Sequence, residues 1–283
     1  MTAFAQDFSL EATRPNAAEI AALAEILPPG TSIYFSAVPT ITPDEVITAA
    51  ASLRKAGLEP VVHIAARRIG TAGDLQELLT ALRHEADVRR LLVIGGDVDA
   101  PGRFPDALAI IQKGRLREAG IEEIGIGGYP EGHPRIAQGQ LEAALDQKIA
   151  AARAAGLKVF IVSQFSFSGE RILAWLRQLR ACGITVPVKV GLAGPASVTA
   201  LLRYAKRCGV SASLRGLMSG AAAGLVGNAG PDRIIDMLAA TDEPGIAAHY
   251  FSFGGAVETA RYACDVAAGR NAIARAMPRA NTN

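Results

Sequence analysis

Short apolar runs alternate with longer stretches of helical periodicity along nearly the whole chain. The runs at residues 8–12, 32–38, 60–65, 88–96, 121–128, 158–164, 188–192 and 245–253 are bounded by Gly, Pro and polar residues and read as buried strands. Between them, residues 17–27, 42–55, 72–83, 104–119, 136–155, 168–182, 195–207 and 256–268 repeat apolar positions every three or four residues and read as helices. Asn16 can cap the first of these, and Thr42-Pro43-Asp44-Glu45 combines a threonine cap, a proline at the first position and acids in the first turn. Residues 211–242, rich in Gly and Ala, are less regular and read as short helices inserted before the last strand. The polar tail from about Gly269 is expected to fray. Strand-then-helix units repeated along one chain predict an α/β fold, a (β/α)8 TIM barrel forming a single domain over residues 1–283. An open doubly wound sheet is the alternative. Neither a Gly-x-Gly-x-x-Gly fingerprint nor a phosphate-binding loop follows the first strand, which counts against it.

Composition narrows the function classes. Half of the 283 residues are hydrophobic, enough for a sizeable core. The 29 basic and 27 acidic residues leave a net charge of +2, which gives no reason to expect nucleic acid. No apolar run reaches about 18 residues, and the N-terminus lacks a basic region followed by an apolar segment, so neither a membrane span nor a signal peptide is expected. Cys182, Cys208 and Cys264 have no short spacing. They are expected to be packing residues in a reducing cytoplasm rather than metal ligands or a disulfide.

In a barrel, functional residues gather at the C-terminal ends of the strands. Ile124-Gly125-Ile126-Gly127-Gly128 runs there into a turn that carries Tyr129, Glu131 and His133 between Pro130 and Pro134. Glu11 stands in an apolar strand, where a carboxylate is costly unless paired or protonated. A raised pKa would suit it to general-acid work, and a salt bridge to Arg14 or Arg67 is the structural alternative. His63, inside Val-Val-His-Ile, is either a core histidine or a site residue. Asp97 follows Gly95 and Gly96, where the missing side chains allow either a flat ligand's approach or a positive φ. Gln164 ends the sixth run and can read an amide or heterocycle edge, or cap its own strand. Phe165 and Phe167 divide between core and cleft wall. Arg67, Arg68 and Lys148 can hold phosphates or a glutamate tail, with solvated surface charge as the alternative. No second His or Cys stands near His133 at zinc-ligand spacing, so no metal site is expected.

With those residues in place, the chain resembles the catalytic barrel of methylenetetrahydrofolate reductases from about Phe8 to Cys264. The most specific piece is Tyr129-Pro130-Glu131-Gly132-His133-Pro134, similar to the family's Tyr-Pro-Glu-x-His-Pro. Ser9-Leu10-Glu11, His63, Gly96-Asp97 and Gln164-Phe165 agree in order and spacing. The resemblance implies reduction of 5,10-methylenetetrahydrofolate to 5-methyltetrahydrofolate by hydride from NADH or NADPH through FAD. It implies Glu11 as general acid at the folate nitrogen, and Asp97 on the pterin and beside the flavin. Gln164 and Phe165 would line the substrate site, and His63, Gly95, Gly96, Tyr129, His133 and Lys148 the flavin site. A homo-oligomer is allowed.

The sequence departs from that pattern. Ala12-Thr13-Arg14-Pro15 replaces Phe-Phe-Pro-Pro after the glutamate, and Gly95 stands where an arginine touches the phosphate side of the flavin. Leu145, Asp146 and Gln147 stand at polar and basic flavin positions, and the strand-two threonine is lost around Ala37. The expectation is an FAD enzyme without the family's regulatory domain. The alternatives are direct hydride transfer from nicotinamide without a flavin, or a redox-inactive folate-binding barrel.

Overall fold

The computed structural model describes residues 3–35, 41–98, 102–210, 228–229, 231–241 and 243–270. Eight parallel strands close into a barrel. They are β1 (Ser9–Ala12), β2 (Ser32–Phe35), β3 (Glu59–Ala65), β4 (Arg90–Ile94), β5 (Glu123–Gly128), β6 (Lys158–Ser163), β7 (Val188–Ala193) and, last in the chain, β8 (Ile246–Phe251). Consecutive strands pair around the ring, and β1 closes it against β8, with Ser9 opposite His249 and Leu10 opposite Tyr250. The expected (β/α)8 TIM barrel is what the chain forms. A short helix not expected from the pattern, α1 (Ala3–Gln6), precedes β1 and buries Phe4 and Ala5 against the main core.

The strands form because alternate residues have two apolar environments to enter. Leu10, Ile33, Val62, Ile64, Leu91, Val93, Ile124, Ile126, Ile161, Val190 and Tyr250 face outward into the shell shared with the helices. Tyr34, Val61, Leu92, Phe160 and Val162 face inward and make a separate cluster that fills the barrel. Gly125 is needed on this inner face: an added Cβ would lie 2.7 Å from the Phe160 ring and 3.0 Å from Leu92. At the N-terminal mouth Arg90 pairs with Glu123 at 2.7 Å. Lys189 enters the same layer, where burial lowers its pKa and the charge of Asp7 opposes the shift.

The wall helices begin where the caps predict. Asn16 accepts from the Glu19 N–H at the start of α2 (Ala17–Ile26). Thr42 and Glu45 cap each other at the start of α3 (Pro43–Lys55). The helix expected over 104–119 is shorter: α5 (Ala107–Lys113) starts at the Asp106 cap and stops at Gly114, and Arg115 takes a φ of 48°. Between these, α4 (Ala72–Ala86) follows β3. After β5 and β6 come α6 (Gln138–Ala154) and α7 (Gly169–Ala181).

The largest difference from the sequence pattern comes after β7. The helix expected to cover that strand, α8 (Val198–Cys208), is not a wall helix. Leu201, Ala205 and Val210 are buried, and Leu201 and Val210 pack with Phe165, Ala193 and Ala196 at the C-terminal rim. At its end, the position of an added Cβ on Gly209 would lie 2.7 Å from Pro134 of the loop after β5. The wall position is taken by α9 (Asp232–Ala239), whose Met237 lies against Gly169 of α7. An antiparallel pair, Ala196 with Ala229 and Ser197 with Asn228, pins the two ends of the excursion together. Its stretch 211–227, the tail from 271, and Ala37 after β2 lie outside the described residues. The last wall helix is α10 (Ala256–Ala267). Among the described residues no helix is long and apolar enough to cross a membrane. Cys264 and Cys208 are half-buried as packing residues should be, whereas Cys182 is exposed.

Where β6 and β7 diverge, Gly191 N–H donates to Ser163 Oγ at 2.8 Å. A Cβ on Gly191 would stand 2.3 Å from the Ser163 carbonyl oxygen, a backbone atom that cannot swing aside. Gly191→Ala is expected to cost at least about 2 kcal/mol, read as a lower denaturant midpoint at unchanged slope.

Candidate active site

The inward-facing polar residues of β1, β3 and β8 meet in one cluster. The alternation of β1 turns Ser9 and Glu11 inward while Leu10 and Ala12 pack outward. His63 enters from β3 and His249 from β8. Glu11 Oε1 lies 3.3 Å from His249 Nε2, in hydrogen-bond geometry, and 3.2 Å from His63 Nε2. On its far side His249 Nδ1 is 2.9 Å from Ser9 Oγ. Ser9 and His249 are fully buried, whereas Glu11 and His63 keep 8% and 7% exposure, so the last two lie nearer the mouth. The Tyr34 ring sits edge-on to both imidazoles, with centroids 4.6 Å from His249 and 6.2 Å from His63.

The expectation that burial would raise the Glu11 pKa is overturned. Burial does push it up and is the largest single effect. The neighbouring charge of His63 and the hydrogen bonds from both imidazoles outweigh it and hold the carboxyl well below the usual range. Glu11 is therefore an ionised, paired carboxylate. Its partners are not the arginines considered from sequence: Arg14 pairs with Glu45 at 3.0 Å, and Arg67 bonds the Pro105 and Val98 carbonyls. Burial lowers the His249 pKa, and its bond to Glu11 only partly opposes this.

Above the cluster is an aromatic wall. Phe251 is edge-on to His249 at 5.3 Å, and Phe165 meets Phe167, Phe251 and Phe253 with centroids 4.8–5.6 Å apart. Tyr204 of α8 stacks on Phe253 at 4.2 Å. Helix α8 thus roofs the β6–β8 side of the mouth.

The other residues singled out from sequence lie around the same rim without touching the cluster. Asp97, exposed after β4, pairs with Arg68 at 2.5 Å, and that hydrogen bond lowers its pKa. Gly96 has a φ of 91°, and an added Cβ there would lie 3.3 Å from Ala65, whereas the same position on Gly95 opens onto free space. Gln164 Oε1 accepts from the Phe165 N–H at 3.1 Å, a strand-end cap that orients the amide. The turn after β5 is tightened by the Gly132 N–H donating to the Tyr129 carbonyl at 3.0 Å. Tyr129 and His133 pack edge to face at 5.3 Å, and the Tyr129 hydroxyl lies 3.4 Å from where a Gly127 Cβ would be. Burial raises the Tyr129 pKa and lowers that of His133. Lys148, half-buried on α6, has its pKa lowered by burial against the field of Asp106. A separate groove beside Tyr129, lined by Leu141, Leu145, Trp175 and Leu179, opens between α6 and α7 outside the barrel wall and not over Glu11.

Ser9, Tyr34 and His249 escaped the sequence reading. His249 carries the same signal as His63, a lone histidine inside an apolar strand, and the alternation of Ser9 with Glu11 puts both on one face. Among the described residues no group of His, Cys, Asp and Glu could hold a metal ion.

Solved structures share the fold over most of their length. Dihydropteroate synthase (FolP) from Thermus thermophilus is 16% identical, with a TM-score of 0.51 over 93% of this chain and 92% of that one. A Yersinia pestis DHPS with a pterine-sulfa conjugate is 14% identical, with a TM-score of 0.50 over 96% and 97%. A 2,3-dimethylmalate lyase of the PEP mutase/isocitrate lyase superfamily is 10% identical, with a TM-score of 0.50 over 97% and 86%. At these identities the likeness concerns the barrel alone. The family described as Methylenetetrahydrofolate reductase matches residues 13–220, well over half of the sequence, and the chain belongs to that family of oxidoreductases.

Proposed function

We propose that the chain reduces the methylene bridge of 5,10-methylenetetrahydrofolate to a methyl group, with hydride from a reduced nicotinamide and a proton delivered by Glu11. The observation that carries this reading is the carboxylate held between two imidazoles at the inner end of the mouth. Opening the five-membered ring breaks a carbon–nitrogen bond and needs a proton on the departing nitrogen. The iminium carbon left behind accepts the hydride, the nicotinamide is oxidised, and one proton is consumed in all. An ionised Glu11 has no proton of its own to give. Beside His63, however, a carboxylate–imidazolium pair and a carboxylic acid–imidazole pair differ only in the place of one proton. Glu11 gains the proton from His63 and passes it to the substrate. Asp97 and Gln164 on the rim are suited to the donor and acceptor edges of the pterin, and the Phe165–Phe251–Phe253 wall to its flat face.

The family is generally flavin-dependent, yet two of the three cations that the sequence offers for a flavin diphosphate, Arg67 and Arg68, have other partners among the described residues. Such a group needs cations or backbone N–H groups free to meet it. Arg67 is spent on two backbone carbonyls and Arg68 on Asp97. Lys148 is desolvated by its half-buried position on α6. These commitments favour direct transfer from the nicotinamide, and no step here is routed through FAD.

Purified protein is expected to be colourless and to oxidise NADH or NADPH only when methylenetetrahydrofolate is added. A flavin spectrum with folate-independent oxidation would establish the FAD route instead, and folate binding without oxidation would leave a binding module. Glu11→Gln should lower turnover by about 100-fold or more and leave folate binding within about threefold; near-normal turnover rejects Glu11 as the donor. Asp97→Ala should weaken folate binding by about tenfold or more, measured by titration calorimetry, and an unchanged affinity removes Asp97 from the site.

A further inference from the structure

We propose that one edge of helix α8, carrying Arg203 and Arg207, holds the glutamyl carboxylates of the folate substrate and makes the chain prefer folates with several γ-linked glutamates. This subsite deepens the reductase reading and takes its ligand from it.

Helix α8 is amphipathic in a way that brings charge to the mouth. Leu201, Tyr204, Ala205 and Cys208 share one side of the helix and are buried or half-buried. Leu201, Tyr204 and Cys208 pack in the cluster that holds Phe165, Phe251 and Phe253. Arg203, Lys206 and Arg207 are exposed, and the helix carries no acidic residue. At about 100° per residue, Arg203 and Arg207 lie about 40° apart and toward the side of Tyr204, whereas Lys206 lies about 160° from Tyr204. The Arg203 guanidinium is 5.2 Å from the centroid of the Tyr204 ring, an approach that steadies a long side chain at an exposed place.

Two observations show where the arginine edge points. In the ring of eight strands β4 lies opposite β8, and α8 packs on Phe251 and Phe253 at the end of β8. The Asp97 carboxyl, after β4, is held low first by its hydrogen bond from Arg68, and the charge of Arg207 acts in the same direction. Arg207 thus stands within electrostatic reach of the far side of the mouth. The end of α8 lies on that side too, with Gly209 against Pro134 of the loop after β5.

The order of groups along the protein identifies the ligand. From the Glu11 cluster outward, ring contacts run from His249 through Phe251 and Phe253 to Tyr204, and the series ends in Arg203. A folate has the same order: the pterin that takes the hydride, then the aminobenzoyl ring, then carboxylates at the end. A nicotinamide dinucleotide carries its phosphates between two ring systems, so it does not match a series of rings that finishes in cations. Arginine forks fit carboxylates. Arg203 and Arg207 are about 6 Å apart along the helix, so each can take a different carboxylate of the tail.

The test is calorimetric titration of the full-length chain with tetrahydropteroate, which has no glutamate, and with tetrahydrofolates bearing one or three γ-linked glutamates. The affinity of the wild-type chain is expected to rise at each step, by about tenfold or more in all. Replacing both arginines, Arg203→Ala with Arg207→Ala, should flatten the series to within about twofold, and Lys206→Ala should leave the rise in place. A flat series in the wild-type chain, which needs no variant, overturns the subsite. So does a rise that survives the double replacement, or an equal loss in Lys206→Ala, which would mark a diffuse surface field. A changed preference between NADPH and NADH in the double variant, with the tail dependence intact, gives the edge to a cofactor phosphate and also overturns it. Turnover of methylenetetrahydrofolate without tail dependence sinks the subsite and keeps the reductase reading; tail-dependent binding without turnover does the reverse.

Discussion

The site depends on one electrostatic constraint: a carboxylate placed inside an apolar barrel must find its charge partners among the neighbouring strands. Desolvation alone would leave Glu11 neutral and inert as an anion. His63 from β3 and His249 from β8 reverse that outcome, and Ser9 satisfies the second nitrogen of His249. Each of these groups sits on a strand whose other face is anchored in the main core, so the cluster is held by the same packing that closes the barrel. Polar groups in such a place are tolerated only when each is satisfied by another. The charges at the opposite mouth, Arg90, Glu123 and Lys189, form a layer of their own beneath the apolar plug.

A second constraint shapes the mouth. The excursion after β7 leaves the usual strand-to-helix path, and its ends are tied by the short antiparallel pair at 196–197 and 228–229. The tie lets α8 lie along the rim without disturbing the strand order, because α9 takes over the wall position. Helix α8 buries Leu201 against the aromatic wall and presents Arg203, Lys206 and Arg207 outward. The aromatic wall thus links the Glu11 cluster to the roof through a continuous series of ring contacts, from His249 through Phe251 and Phe253 to Tyr204.

Much of this was legible in the chain itself. The alternation of apolar runs with helical periodicity predicted the barrel, because strands buried on both faces and helices buried on one have different repeat lengths. The caps at Asn16 and Thr42 are local hydrogen bonds and formed as the residues required. Glu11 and His63 were conspicuous as polar residues in apolar strands. The helix at 195–207 was read as a helix, and its place on the rim came only with the fold. Periodicity reports that a helix has one apolar face and says nothing about which surface that face meets.

The sequence by itself determined the strand and helix order, the closed barrel, the family, and which polar residues were out of place in their strands. Only the tertiary structure decided what those residues do to one another. Glu11 meets His249, 238 residues away in the chain, and His249 in turn meets Ser9, 240 residues back. Local pattern records the cost of burying a charge, but the strand that meets β1 at the closure of the barrel supplies its compensation. That partner is set by the pairing of the first strand with the last, a contact no local stretch of sequence encodes.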